Sequence, residues 1–387
     1  MIDYIVANKT WIFSGIGILV ITGICSFIAI IFKRKKKNNS SQNQSSGNNS
    51  FNIQSKGNVT VNQSGATYTE IREIALDVFK ANFMVSTGSS KKTANKRAEH
   101  ITEEFLGRLQ EENPSGLGAA EEPDFQDALF TVQKEYAKSG DAKLGDILVD
   151  LLINRSKEQH RSLIQLVLNE AIKTAPKLTQ EQLAILSVIF LLRYTAQLNI
   201  TCLESLGDYL DKYIQQQIPH LNRGDAYYQH LQYAGCGNIE LGSVKLSRIW
   251  ESRYQGLFFK GFELSLEEKT RISEGSFSTF IIPCLNNPSK CQVNALTQKN
   301  LEEKMSKSNL GESEKAFIKE LFNRNKMSYD EIKTKIIEIR PYMSDFYDIW
   351  ENSPMNKFQL TSVGIAIGHA NIKKTDGEFT DLSIWIN

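Results

Sequence analysis

The chain has 387 residues, of which 45 are Lys or Arg, 44 are Asp or Glu and five are His, so its formal charge is close to zero at pH 7. A balance this even disfavours general nucleic-acid binding, because the counterion-release term needs a basic face. The length is enough for one large or two ordinary domains with a sizeable core.

Residues 1–10 carry two charges, Asp3 and Lys9, which cancel. From Trp11 to Phe32 run 22 residues without a formal charge. At about 1.5 Å rise per residue such a run crosses the roughly 30 Å hydrocarbon core of a bilayer. Lys33, Arg34, Lys35, Lys36 and Lys37 follow at once. A cleaved signal peptide carries its charges before a shorter apolar run, whereas here the basic cluster lies after it. The reading is a single transmembrane helix over 11–32, with Trp11 as interface anchor. The positive-inside bias leaves a short extracytoplasmic N-terminus and a cytoplasmic body.

Residues 33–66 form a basic, then Asn-, Ser- and Gln-rich linker that cannot build a packed core of its own. Within it Phe51 alternates with Ile53, and Val59 with Val61, around a Ser-Lys-Gly-Asn turn signal. Two short strands are expected, forming a β-arch over 51–63. Alone they are unstable, but copies from neighbouring chains stack through Asn and Gln ladders, with the apolar pairs as a seam. The segment is similar to the short β-arch motifs of bacterial amyloid-signalling and curli-like repeats, which implies self-assembly.

A helical body is expected from residue 67 to about 260. Thr67 with Glu70 makes a capping box ahead of an apolar stripe of Ile71, Ile74, Ala75, Val78, Phe79 and Phe83. Further helices are predicted over 94–113, 125–137, 143–155 and about 156–174. Thr179 with Gln182 caps a helix whose apolar run from Leu183 to Leu192 is too short to span a bilayer and reads as the buried centre of the bundle. Helical segments near 202–218 and 225–235 follow.

From 261 to 387 the pattern changes to a small α+β region. A β-branched run surrounds Pro283 and Pro288, and helices are predicted over 297–308, 312–323 and 328–339. A strand at Phe358 to Leu360, a helix from Thr361, a turn at Asp376 and Gly377, and a last strand from Leu382 to Ile386 complete the chain. This order resembles the closing part of a winged-helix unit. The local charge is balanced, so the expected use is structural or protein-binding.

The phrases TYTEIREIALDVFKANF, KEYAKSGDAKLGDILVDLLINR, PKLTQEQLAILSVIFLLRYT, YQGLFFKGFEL and LTSVGIAIGHAN resemble an uncharacterised bacterial family in which a Gln-, Asn- and Gly-rich leader precedes a helical body. The resemblance runs from about residue 50 to the end. It implies a bacterial source, and hence an inner-membrane location for the span, and no activity.

Chemistry-bearing patterns are sparse. GxSxG, P-loop, GxGxxG and HExxH signatures are absent, and His220, His230 and Cys236 do not have zinc spacing. Cys202, Cys236, Cys284 and Cys291 show no CxxC pattern and read as ordinary thiols. Carboxylate pairs such as Glu103 with Glu104 and Glu111 with Glu112 read as solvated. Glu170 and Arg193 each interrupt an apolar helix and are expected to meet as a buried ion pair. No catalytic residue, cofactor or metal is expected. The chain therefore reads as a membrane-anchored, non-enzymatic interaction or self-assembly protein, a homo-oligomer or the binder of a protein partner. The alternatives are a membrane-perturbing effector of a bacterial anti-phage defence system and an enzyme whose pocket lies in the helical body.

Overall fold

The computed structural model describes residues 68–83, 88–376 and 380–386. The expected span, with Trp11, Phe32 and Lys33, Arg34, Lys35, Lys36 and Lys37, lies outside the described residues, as does the expected arch with Phe51, Ile53, Val59 and Val61. Among the described residues no helix is long and apolar enough to cross a membrane.

The chain is mainly helical. Helices α1 (Tyr68–Asn82), α2 (Ser89–Glu112), α3 (Pro123–Ser139), α4 (Ala142–Ser156) and α5 (Leu163–Thr174) come first, with a 3-10 segment at Pro114–Glu121 between α2 and α3. Each stop has a local cause. Gly140 closes α3 in the left-handed region, the Asp141 carboxylate accepts from the first N–H groups of α4, and the Ser162 hydroxyl accepts from Gln165 N to start α5. A single helix over 156–174 is thus replaced by a turn at 157–162 and a shorter α5.

Helix α6 (Gln180–Tyr194) is the centre. Both halves of the capping box between Thr179 and Gln182 are formed, and every residue from Gln182 to Leu192 is buried. Helix α7 (Leu203–Tyr209) runs into a π-helical turn at Leu210–Gln215, followed by α8 (Asp225–Tyr233), strand β1 (Gly237–Ile239) and α9 (Leu246–Tyr254).

A smaller core follows. Helices α10 (Leu266–Thr270) and α11 (Glu274–Phe280), hairpin strands β2 (Ile281–Cys284) and β3 (Asn287–Val293), α12 (Gln298–Ser306) and α13 (Glu312–Phe322) surround Phe280, Val293, Leu301, Phe317 and Phe322. Backbone and side-chain bonds tie this lobe back: Gly256 N donates to Leu296 O at 2.9 Å, and the Asn286 amide donates to Leu257 O at 2.8 Å. Cys284 and Cys291, in this hairpin, are both free thiols.

The chain then returns to the large core through α14 (Tyr329–Ile339), α15 (Met343–Glu351), strand β4 (Phe358–Leu360) and α16 (Ser362–Asp376). Ile332, Trp350, Phe358, Ile367 and Leu382 belong to the same buried cluster as Phe105, Leu148 and Phe190. The region 261–387 is therefore divided between two cores.

The winged-helix expectation is corrected here. Strand β4 pairs antiparallel with β1, in the register Gly237 to Leu360 and Ile239 to Phe358. The expected strand over 382–386 is a 3-10 turn at Leu382–Ile384, started by the Asp381 carboxylate, which accepts from Ser383 N at 2.9 Å. Trp385 Nε1 donates to the Tyr194 carbonyl at 2.8 Å, and Leu382 and Ile386 are buried. The tail thus docks on α6 by side chains and not as a ladder. Helix α16 can lie close to α6 because Gly368 faces Leu186, where a Cβ would stand 2.9 Å from the carbonyl oxygen. Asn371 then reaches Ser187 Oγ at 2.7 Å.

Candidate functional site: a polar cleft at the end of helix α4

The second half of α4, from Ile147 to Ser156, is buried without a break, although it includes Asp150, Asn154 and Arg155. Buried charges require partners, because removal from water costs several kcal/mol for each ion. Two sets of partners meet this helix on different flanks.

On one flank Asp150, only 3% exposed, accepts from Arg108 Nη2 at 3.1 Å, from Lys373 Nζ at 2.8 Å and from Asn154 Nδ2 at 3.1 Å. Glu112 closes the square, with Arg108 and Lys373 each 2.8 Å away. Two cations and two carboxylates thereby join α2, α4 and α16 with no net charge. Burial pushes the Glu112 carboxyl up, but the hydrogen bonds from Lys373 and Arg108 outweigh it and leave the group below the usual carboxylate range.

On the other flank Arg155, also 3% exposed, has each nitrogen engaged. Nε donates to Asn169 Oδ1 at 2.9 Å, Nη1 donates to Glu158 O at 2.9 Å, and Nη2 pairs with the Asp124 carboxylate. The guanidinium carbon lies 5.8 Å from the centre of the Phe125 ring. Asn169 Nδ2 also donates to Asp124, at 3.1 Å, and Gln165 Nε2 lies 3.4 Å from it. The Arg155 hydrogen bond holds the Asp124 carboxyl below its usual range.

A cleft of about 350 Å³ opens beside this clamp, lined by Ser115, Gly116, Glu122, Arg155, Glu158 and His160 among others. The Pro-Ser-Gly-Leu-Gly sequence forms one wall because Gly116 lies against the Asn113 amide and the Ser156 hydroxyl, where a Cβ would stand 2.9 Å from the oxygen. On α5 Gln165 lines the cleft, and the same helix carries a neighbouring stripe of Leu163, Leu166 and Glu170, whose leucines are 53% and 45% exposed. The arrangement offers a fixed polar opening beside an apolar rim, suited to holding a ligand or a partner side chain.

The expected pair of Glu170 and Arg193 is not formed. Glu170 faces outward on α5, and Arg193 donates through Nη1 to the Phe358 carbonyl at 2.6 Å, fastening β4 to α6. The reason is helical phase: Val167, Leu168 and Ala171 occupy the buried side of α5 and leave Glu170 on the solvent side. Nor do His220, His230 and Cys236 converge. His230 Nδ1 is within 2.9 Å of the Gln182 amide, Cys236 is buried beneath α16, and His220 is exposed. Among the described residues no group of three or more His, Cys, Asp or Glu is placed to hold a metal ion. Asp150, Arg155 and Lys373 were not singled out by sequence reasoning. The available signal was Asp150 and Arg155 inside the apolar run ILVDLLINRS.

A family model matches residues 65–386, a range that contains all of the described residues. The chain belongs to that family. It is an uncharacterised family with a helical body and no assigned activity. The match covers the α4 cleft, the ionic square and the smaller lobe together, so these are parts of one family body. No curated protein and no solved structure matches the chain.

Proposed function

We propose that the chain is a membrane-tethered binding protein without enzymatic activity, whose helical body receives a protein partner at the α4 cleft and whose copies gather through residues 51–63. One observation carries the binding reading. The charged groups at the base of the cleft, Arg155 and Asp124, are held by each other and by Asn169, so they fix the shape of the opening and are not poised as a proton donor and acceptor. The uncharged span over 11–32 and the basic run over 33–37 support the tether, and the alternating Phe51, Ile53, Val59 and Val61 support the gathering.

The test is fractionation of cells expressing the full chain or a chain lacking 11–32, followed by light scattering of detergent-purified protein with and without 51–63. The expected result is membrane recovery that depends on 11–32 and an oligomer that depends on 51–63. A detergent-purified full chain that is monomeric would remove the gathering, and recovery of the shortened chain with membranes would remove the tether. The second reading, a membrane-perturbing effector, draws on the sequence order, in which the expected stacking segment at 51–63 follows the expected span at 11–32 by one short linker. Loss of membrane potential on induced expression, read with a dye, would favour it over the binding role.

A further inference from the structure

Helix α1 is seated on α2 and α3 through Ile71, Ala75, Leu76 and Phe79, with an exposed ion pair, Arg72 to Glu103 at 2.8 Å, at its side. Beneath it lies Gln133 of α3, which is wholly buried. Its Nε2 donates to the Ala75 carbonyl at 3.2 Å and to the Thr102 hydroxyl at 2.9 Å, while among the described residues no donor meets its Oε1. A narrow crevice follows the same contact, between Ile71, Ile74 and Val78 on α1 and Ala120, Gln126 and Leu129 opposite. Ile74 stands at its edge, 41% exposed.

Both features weaken the seat. A buried acceptor without a donor bears its full desolvation cost while α1 is in place and is relieved once water reaches it. Side chains along a crevice lack dispersion partners on one side. Helix α6 is the contrast, buried from Gln182 to Leu192 and capped at both residues of its box.

We propose that α1 is a releasable strap. It opens from the body as a unit while the rest stays folded. Opening hydrates the Gln133 amide and bares the apolar groove that Ile71, Ala75, Leu76 and Phe79 cover. This inference rests on the seat of α1 and is independent of the reading given to the α4 cleft.

Hydrogen exchange by mass spectrometry on the full chain in detergent tests it. The amides of α1 are expected to exchange about tenfold or more faster than those of α3 and α6. Gln133→Met removes the unmatched oxygen together with the 3.2 Å bond to the Ala75 carbonyl, an acceptor that α1's own ladder also uses, and leaves the Thr102 hydroxyl its bond to the Ala98 carbonyl; relief of the unmatched oxygen outweighs the shared bond, so exchange of α1 should slow severalfold. Ile71→Ala, which leaves Gln133 untouched, should speed α1 alone. The proposal is overturned if α1 exchanges at the rate of α3 and α6, if Ile71→Ala accelerates all three together, or if Gln133→Met leaves α1 unchanged.

Discussion

Lys373, in the last turns of α16, places its Nζ 2.8 Å from Oδ1 of Asp150, a carboxylate buried in the middle of α4. This contact locks a helix near the C-terminal end of the chain to the helix that shapes the candidate cleft. Lys373→Met should therefore leave Asp150 with Arg108 and Asn154 only, at a cost of about 2 kcal/mol, since part of the charge stays compensated. Pairing Lys373→Met with Asp150→Asn should recover a good part of that loss, because no buried carboxylate is then left short of a cation. Urea unfolding of the two variants measures the difference. A single variant as stable as the unchanged chain would show that the square contributes nothing.

One helical turn before Lys373, His369 is buried against Phe190 and Trp385, and its Nε2 lies 2.9 Å from the Thr380 carbonyl. Burial pushes the imidazole below its ordinary value, against the bond to Thr380 and the field of Asp150, which favour the charged ring. A depressed histidine binds its proton more readily in the unfolded chain, so its contribution is fully present above the unfolded value of about 6.5 and is lost as pH falls through the lower folded value. Stability should decline from pH 7 towards pH 5, and His369→Gln should flatten that decline. Thermal unfolding across this range decides it; an equal slope in both chains would place the acid sensitivity elsewhere.

The period of the apolar residues made most of the helical body legible. The three helices of residues 298–339, the capping boxes at Thr179 and Ser328 and the buried run Leu183 to Leu192 all follow from local signals. What escaped depends on pairing across long separations. Strand β4 read as the start of a wing because its partner, Gly237 to Ile239, is only three residues long and lies far upstream. Arg193 read as half of an ion pair because a sequence cannot show that a backbone carbonyl, that of Phe358, is the acceptor. In the same way Glu112, beside Glu111, read as solvated, although it holds both Arg108 and Lys373.

A further signal was present in GIAIG of α16. Gly364 and Gly368 lie one turn apart on one face, and each meets backbone: Gly364 faces the Cys236 carbonyl, where a methyl group would overlap the oxygen, and Gly368 faces that of Leu186. Neither neighbour is a flexible side-chain end, so relief requires movement of main chain. Gly364→Ala should cost about 3 kcal/mol and Gly368→Ala less, about 1 to 2 kcal/mol, despite the better helix propensity of alanine. Chemical denaturation orders the two, and a stabilised Gly364→Ala chain would contradict the close approach.

The cleft itself is tested through Arg155. Its guanidinium meets Asn169, Glu158 and Asp124 in three directions, a fork that an ammonium cannot reproduce. Arg155→Lys keeps the charge near Asp124 but should lose the bonds to Asn169 or Glu158, at about 1 to 2 kcal/mol. Arg155→Met should cost more, about 3 kcal/mol, although Asp124 is 58% exposed and can turn to water. The loss should be concentrated where the clamp acts. Limited proteolysis should cut both variants faster within 157–162, between α4 and α5, while sites in the smaller lobe keep their rates. Faster cutting throughout would make Arg155 a support of the whole body; unchanged cutting at 157–162 would mean that the opening keeps its shape without it.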